Sequence, residues 1–127
     1  MDVLLDSCIL IDHFNGVTAA TDYLKQAGIS ARVSAITRAE VLTGLAGTAR
    51  QGAVRFLDCF VFLPIDRAVA DLAADLRRSH HWKLPDALQA AVAQHHGLRL
   101  ATRNTGDFNP KRHTFVAVPY ELAPNGR

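Results

Sequence analysis

The sequence predicts one α/β domain over residues 1–127, with a central, mostly parallel sheet flanked by helices. Short apolar segments alternate along the chain with longer segments of helical periodicity, which is typical of parallel strands joined by helices. The chain has 127 residues, of which 49% are hydrophobic, and this is the size of one ordinary domain with a substantial core. The sequence contains no internal repeat or low-complexity segment.

In the N-terminal half, turn residues divide the chain into three strands and four helical segments. Gly16 separates a first helical turn from the next helix, Gly28 ends that helix, and Gly47 separates the two helices that follow. Pro64 stands directly behind the third strand. The predicted elements are a strand at 3–5, helices at 7–14 and 18–27, a strand at 31–34, helices at 37–46 and 48–60, and a strand at 61–63.

The C-terminal half is predicted to contain two helices and two strands. Asp66 caps a helix that extends to about residue 81 and repeats its apolar residues at helical spacing. Pro85 opens the next helix, which ends at Gly97, because proline is tolerated at the first helical position. Strands follow at 98–102 and 115–118, and residues 119–127, with two prolines, are predicted to be a loose tail.

The charge and the cysteines limit the classes of function. The chain carries 14 Lys and Arg against 12 Asp and Glu, a balance that permits a nucleic-acid partner without requiring one. Cys8 and Cys59 lie in apolar segments without a metal or redox spacing, so we expect buried free thiols in a reducing compartment. No signal peptide or membrane-spanning segment is recognisable, so we expect a cytoplasmic protein.

Four segments place acidic or amide side chains at predicted strand ends or helix starts. Asp6 follows the first strand, and Glu40 lies in the helix after the second strand. Asp86 lies in the first turn after the proline that opens its helix. Asn104 and Asp107 follow the strand at 98–102. The order of these segments along one small chain is more informative than any one of them.

Each acid also has a purely structural explanation. Asp6 is a favoured N-cap for the helix that follows it. Glu40 fits a capping box with Thr37, in which the carboxylate bonds to a free backbone N–H. Asp86 is stabilised by the helix dipole, and Asp107 is a common turn residue. Taken singly, Glu40 and Asp107 favour the structural explanation. Asp86 favours neither explanation over the other, and Asp6 slightly favours a functional role.

Taken together, the four segments predict a metal site. The carboxyl ends of parallel strands share one edge of a sheet, where ligands bind. Carboxylates about 4–6 Å apart would repel one another by roughly 1–4 kcal/mol, and a bound cation would make that arrangement tolerable. Oxygen ligands without thiolate or imidazole favour Mg²⁺ or Mn²⁺ over zinc. Such a site suits hydrolysis of phosphodiester bonds.

At these residues the chain resembles a PIN domain, specifically the small VapC-type ribonuclease toxins of toxin–antitoxin systems. LLDSCILID resembles the opening strand of the family, ITRAEVLTG its Glu-bearing helix, LPDALQAA its central Asp helix, and LATRNTGDF its closing strand and loop. The resemblance covers nearly the whole chain. It implies a three-layer fold, a Mg²⁺ or Mn²⁺ site, and endoribonuclease activity on structured or single-stranded RNA, often tRNA or rRNA.

The resemblance also implies roles for individual residues. Asp6 and Asp86 would be the principal metal ligands, and Glu40 would support the metal or its water. The fourth acidic position falls at Asn104 or Asp107. Many relatives have Asp where Asn104 stands, while others pair Asn with a nearby Asp, and we expect Asp107 to supply the fourth carboxylate. This departure leaves one or two metals possible.

Hydroxyl and basic side chains lie beside the proposed acidic pocket. Ser7 and Thr102 either hold a ligand or water or cap the backbone, and the latter is at least as favoured. A basic rim that positions an RNA backbone is plausible, although plain surface charge explains most of these residues equally well. The rim residues are Lys83, Arg99, Arg103, Lys111, Arg112 and His113.

The resemblance further implies a homodimer and a toxin–antitoxin hetero-oligomer, in which a cognate VapB-type antitoxin lays an apolar helix in a groove. Residues 36–45 and 54–62 could form that surface, with core packing as the default. Two other classes remain open. One is a catalytically inactive PIN-like binding module, for which Asn104 leaves room. The other is a Mg²⁺-binding receiver-like phosphoacceptor domain, in which Asp66 would be the acceptor rather than a helix cap.

Overall fold

The computed structural model describes residues 1–122, and over that range it contains five short strands and six helices. The strands are β1 (Val3–Leu5), β2 (Arg32–Ser34), β3 (Val61–Leu63), β4 (Arg99–Ala101) and β5 (Val116–Ala117). The helices are α1 (Ser7–Phe14), α2 (Thr18–Ala27), α3 (Ala35–Thr43), α4 (Gly47–Leu57), α5 (Arg67–His80) and α6 (Leu84–His95).

Within residues 1–122, the strands form one sheet in the order β3-β2-β1-β4-β5, and every neighbouring pair is parallel. Leu4 of β1 lies opposite Arg32 of β2 on one side and Leu100 of β4 on the other. The chain first builds outward from β1 to β2 and β3, and then adds β4 and β5 on the opposite side. The strand order therefore reverses between β1 and β4, and ligands bind at the carboxyl ends of strands at such a switch point.

Two cores lie on opposite faces of the sheet, because successive side chains of a strand point to opposite faces. Val3 and Leu5 pack in a core with α1, α2, α3 and α4, whereas Leu4 packs in a second core with α5 and α6. Helix α6 is buried on most sides and packs through alanines, which permit close approach to the sheet. The three-layer α/β fold predicted from the sequence is confirmed.

Predicted boundaries agree with the observed ones to within two residues, except between residues 35 and 60. Helix α3 begins at Ala35 because Ser34 is its N-cap and accepts a hydrogen bond from the Thr37 N–H at 3.1 Å. Thr37 therefore lies inside the helix, and the predicted capping box with Glu40 is wrong. Gly47, with φ of 58°, begins α4 instead of separating two helices.

The end of α4 also differs from the prediction and alters the position of a cysteine. The helix ends at Leu57 rather than at residue 60, which places Cys59 in an exposed turn. The expected burial of Cys59 is therefore wrong, whereas Cys8 is half-buried, and both thiols are free. No helix within the described range is long and apolar enough to cross a lipid bilayer.

The predicted tail is described only as far as residue 122, and residues 123–127 lie outside the described range. Within the described part, Tyr120 packs against the core that contains α1 to α4 and donates a hydrogen bond to Asp12. The single-domain organisation and the tail remain predictions.

Candidate active site

The carboxyl edge of the sheet brings three polar side chains together from three adjacent strands. Asp6 follows β1, Thr102 follows β4, and Ser34 ends β2. Asp6 is 9% exposed and caps α1 by accepting a hydrogen bond from the Ser7 N–H at 2.9 Å. The Thr102 hydroxyl donates to Asp6 Oδ2 at 2.7 Å. Asp6 is thus both the helix cap that the sequence predicts and a fixed acid at the switch point of the sheet.

Gln89 of α6 connects these elements, and sequence reasoning did not identify it. Its Nε2 donates to Asp6 Oδ1 at 3.0 Å and to Thr37 Oγ1 at 2.6 Å. Its Oε1 accepts a hydrogen bond from the Ser34 hydroxyl. Gln89, Ser34 and Thr37 are buried. The only sequence signal is a polar residue inside the apolar helical run ALQAAVA, which indicates a buried side chain that needs partners.

The hydrogen bonds to Asp6 fix the orientation of its carboxylate. Three N–H or O–H donors reach it, from Ser7, Gln89 and Thr102, and the Cys8 thiol makes a longer, weaker hydrogen bond of 3.9 Å to Oδ2. A carboxylate offers about four acceptor positions, so a further ligand would need only to displace the weak thiol contact. Asp6 is therefore held in place and still able to coordinate.

Glu40 lies next to Asp6 on the exposed side of the site. The Ser7 side chain lies close enough to the Glu40 carboxylate to affect its pKa, while the Ser7 N–H donates to Asp6. Burial raises the pKa of Glu40, and the charge of Asp6 raises it further against the opposing effect of the Ser7 side chain. Ser7 thus links two of the predicted site acids.

Asp86 and Asp107 complete the group of acids. Asp86 lies in the first turn of α6, as predicted, with Pro85 beside it. Burial, followed by the charges of Asp107, Asp6 and Glu40 and a hydrogen bond with Asp107, raises the pKa of Asp86 from 3.8 to about 6. The structure therefore places the four carboxylates close enough together to alter one another's ionisation.

Asn104 orients Asp107 and also contacts the acid site through Thr102. Asn104 Nδ2 donates to Asp107 Oδ2 at 3.0 Å, and the Asn104 N–H donates to Thr102 Oγ1 at 3.0 Å. The carboxylate beside Asp86 is that of Asp107. The assignment of the fourth acidic position to Asp107 remains a prediction, and this arrangement supports it.

The donor set fits a hard divalent cation. All four side chains offer carboxylate oxygen, and their mutual repulsion is what a cation would relieve. Among residues 1–122, no three His, Cys, Asp or Glu side chains form a group that could hold a metal ion as they stand. Mg²⁺ rarely requires such a group, because it keeps several waters and binds through one or two carboxylates together with a substrate phosphate.

Arg103, a residue of the expected basic rim, and Asp66, the acceptor in the alternative receiver-like class, both have structural partners. Arg103, predicted to belong to a basic rim, donates to both Asp12 oxygens, from Nε at 2.6 Å and from Nη2 at 2.9 Å. Tyr120 donates to Asp12 Oδ2 at 2.7 Å. Because Arg103 directly follows Thr102, this network holds the loop that carries Asn104. Asp66 caps α5 by accepting from the Val69 N–H, which accounts for it without a phosphoacceptor role.

We predict that Asp12→Ala lowers the free energy of unfolding by about 2 kcal/mol. Breaking a buried pair costs about 3–5 kcal/mol, and the 29% exposure of the Arg103 side chain reduces that cost. Burial raises the pKa of Asp12, but the hydrogen bonds and charge of Arg103 and the hydrogen bond of Tyr120 outweigh burial and hold this pKa below 3.8. The stabilisation by Asp12 is therefore fully present above pH 3.8, the ordinary pKa, and is lost as the pH falls through the lowered pKa of the folded state.

Urea unfolding near neutral pH measures this difference. Asp22→Ala, at an exposed position of α2, is the matched control and should change stability by less than about 0.5 kcal/mol. Equal losses for the two variants would show that the Asp12 network adds nothing. In acid below the lowered pKa, the gap between wild type and Asp12→Ala should close.

The fold and site define a class: a parallel α/β domain with converging carboxylates at the switch point of its sheet. The family model described as the PIN domain matches residues 3–111. The chain belongs to the PIN domain family.

Similar proteins support the same classification. Ribonuclease VapC10 of Mycobacterium tuberculosis is 37% identical over 117 residues, which cover 84% of this chain and 85% of that protein. A chain in a toxin–antitoxin complex from Klebsiella pneumoniae is 36% identical, with a TM-score of 0.85, and the match covers 94% of this chain and 99% of that one. A chain in the crystal structure of FitAcB from Neisseria gonorrhoeae is 27% identical, with a TM-score of 0.75 and the same two coverages. The predicted resemblance to VapC-type PIN domains is confirmed.

Proposed function

We propose that this chain is a VapC-type toxin, a metal-dependent endoribonuclease that hydrolyses phosphodiester bonds in cytoplasmic RNA and is inhibited by an antitoxin. The observation that carries the proposal is the convergence of four carboxylates at the switch point, where three of them help to raise the pKa of Asp86 to about 6. The ribonuclease and toxin–antitoxin names of its relatives support the same activity and kind of partner. The substrate is proposed to be tRNA or rRNA.

We assign Asp6 and Asp86 as the principal ligands of Mg²⁺, for which Mn²⁺ could substitute, with Glu40 and Asp107 in support. When bound, the cation would stabilise charge on the scissile phosphate and lower the pKa of a water molecule. Asp6 is preorganised for this role by the hydrogen bonds from Ser7, Gln89 and Thr102. A ligand that is already oriented does not need to be reoriented during the reaction.

Glu40 and Asn104 are assigned supporting roles. Glu40 lies at the exposed edge of the site with a raised pKa, so it is placed to accept a proton from an attacking water. Asn104 holds the carboxylate of Asp107 toward Asp86 by donating from its amide nitrogen.

An apolar cavity between α1, α2 and α4 is the proposed contact for the apolar helix of the antitoxin. It has a volume of about 330 Å³, and Leu24, Ile29, Phe56 and Phe60 contribute to its walls. The last two belong to the segment 54–62 that the sequence analysis selected for this role. Apolar helices commonly bind in grooves of this kind. The proposed assembly is a homodimer that forms a hetero-oligomer with the antitoxin.

The test compares RNA cleavage by wild type and Asp6→Asn, each purified free of antitoxin, with Mg²⁺, Mn²⁺ or EDTA. Wild type should give discrete fragments only with a metal, and Asp6→Asn should give none above background. Asp22→Asn, on the exposed surface of α2, should cut like wild type. Identical fragment patterns for wild type and Asp6→Asn, or no cleavage by either, would favour the inactive binding module instead.

A further inference from the structure

A polar pocket of about 550 Å³ adjoins the acid site at Asp107. It lies between the end of α5 and the loop after β4, and His80, Trp82, Arg112 and His113 contribute to its walls. Asp107 joins the two regions, because its carboxylate faces Asp86 while its carbonyl accepts a hydrogen bond from Trp82 Nε1 at 3.1 Å. A molecule in the pocket would therefore lie directly beside the proposed catalytic acids.

Two histidine rings in this pocket are held by a buried aromatic base. Trp82 is 7% exposed and packs edge-on against fully buried Phe108, with ring centroids 5.1 Å apart. The His80 ring stacks on Trp82 at 4.4 Å, and His113 contacts both rings, at 5.1 Å from His80 and 5.2 Å from Trp82. The indole N–H is bound to Asp107 O, so the base cannot rotate freely. His80 itself is exposed to solvent.

The chemistry of the pocket suits a nucleotide. An exposed imidazole face can stack on a base, and an exposed guanidinium such as that of Arg112 binds phosphate in a planar fork. Burial, followed by the nearby charges of His80 and Arg112, lowers the pKa of His113. The cavity volume lies within the roughly 300–1,000 Å³ typical of ligand pockets.

We propose that this pocket binds one nucleotide of single-stranded RNA next to the scissile phosphate, with its base on the His80 ring and its phosphate on Arg112. The proposal rests on the proposed ribonuclease function and identifies where that substrate is held. Stacking on flat side chains combined with cationic contacts to the backbone is the usual way in which single strands are bound. Double-stranded RNA would leave the stacking surface unused, so the pocket selects for an unpaired nucleotide.

The test uses a fluorescein-labelled single-stranded oligoribonucleotide of about eight nucleotides, with binding followed by fluorescence anisotropy in EDTA. His80→Ala and Arg112→Ala should each raise the Kd by about 10-fold. Arg112→Ala should also reduce the slope of log Kd against log salt by about 1. His80→Phe, which keeps a stacking face, should bind within about 2-fold of wild type.

Matched controls come from the far ends of the neighbouring helices. His95→Ala, at the end of α6, and Arg67→Ala, at the start of α5, replace exposed residues outside the pocket and should leave the Kd unchanged. In cleavage assays with metal, His80→Ala and Arg112→Ala should raise KM and leave kcat within about 2-fold. Circular dichroism and thermal unfolding establish that each variant is folded, and the exposed Arg112 provides a test even if His80→Ala unfolds.

The outcomes separate this proposal from the proposed activity. Cleavage by wild type with unchanged Kd and KM in folded His80→Ala and Arg112→Ala would overturn the pocket and leave the ribonuclease function intact. Specific loss of RNA binding in both variants, without cleavage by wild type, would support the pocket and overturn the activity. If His95→Ala or Arg67→Ala weakened RNA binding as much, the effect would come from general surface charge, and the proposed nucleotide pocket would be overturned. A fall in kcat without a change in KM would also overturn it.

Discussion

Asp86→Asn is expected to reduce RNA cleavage at least about 100-fold while making the metal-free protein more stable at neutral pH. Loss of a metal-ligand carboxylate removes several kcal/mol of transition-state stabilisation, and about 2.7 kcal/mol already corresponds to 100-fold. The gain in stability has a separate origin. Burial, followed by repulsion from Asp107, Asp6 and Glu40, disfavours the ionised Asp86 in the folded state, and both effects disappear on unfolding.

The direction of the stability change follows from the pH dependence of folding. Because the pKa of Asp86 is raised from 3.8 to about 6, the folded state binds more protons than the unfolded state between these values. Stability therefore falls as the pH rises through this window, and the loss is complete above it. The favourable helix dipole acts against the repulsion, but the net upward shift shows that burial and repulsion outweigh it. Because Asp86 is half-exposed, we expect a gain of only about 1 kcal/mol from its replacement.

Urea unfolding in EDTA at about pH 5 and about pH 7.5 measures the effect. Asp86→Asn should exceed wild type in stability at the higher pH, and the gap should narrow at the lower pH. Added Mn²⁺ should raise the stability of wild type more than that of the variant. Asp75→Asn, at an exposed position of α5, is the control for a simple change of net charge. If Asp86→Asn were less stable than wild type at both pH values, the ionised Asp86 would not be disfavoured in the folded protein by burial and repulsion together.

The clustering of the acids could be predicted because it follows from general rules of parallel sheets. Asp6 and the loop of Asn104 follow strands, and the carboxyl ends of adjacent parallel strands meet at one edge. The order of strands could not be read from the chain. The switch point depends on β4 pairing with β1 rather than with β3, and no local segment specifies this long-range pairing.

Local motifs were less reliable where two of them overlapped. Thr37 and Glu40 match the spacing of a capping box, but Ser34 lies three residues before Thr37 and caps the same helix. The pattern is degenerate, and the end of β2 decides which residue becomes the cap. Glu40 is thereby released from a capping role and faces Asp6 and Ser7 instead.

Partners distant in sequence were also hidden. Arg103 and Asp12 are 91 residues apart in the chain, and nothing in either local segment identifies the other. An acid inside the apolar helix SCILIDHF does indicate that some partner must exist, because buried charges are paired. The sequence could therefore have predicted that a basic side chain lies near Asp12, but not which one.

Gln89→Met is expected to lower the free energy of unfolding by about 2–4 kcal/mol and to reduce cleavage as well. Methionine has a similar volume, so the cost comes from the three hydrogen bonds of Gln89 to Asp6, Thr37 and Ser34 rather than from a cavity. A buried polar group that loses its partner costs about 1–3 kcal/mol, although Ser34 and Thr37 each keep one other bond. In the described chain, no buried side-chain nitrogen or oxygen lacks a partner, so there is no spare donor to replace the amide.

Gln94→Met, at an exposed position of the same helix, is the control and should be within about 0.5 kcal/mol of wild type. Gln89→Glu distinguishes lost hydrogen bonds from lost shape. It would place a second carboxyl where Nε2 now lies 3.0 Å from Asp6, so its pKa would be raised and the stability of this variant should fall as the pH rises above about 5. A Gln89→Met variant as stable as wild type would show that Asp6 is held without α6. In that case the link between the buried network and the proposed metal ligand would have to be abandoned.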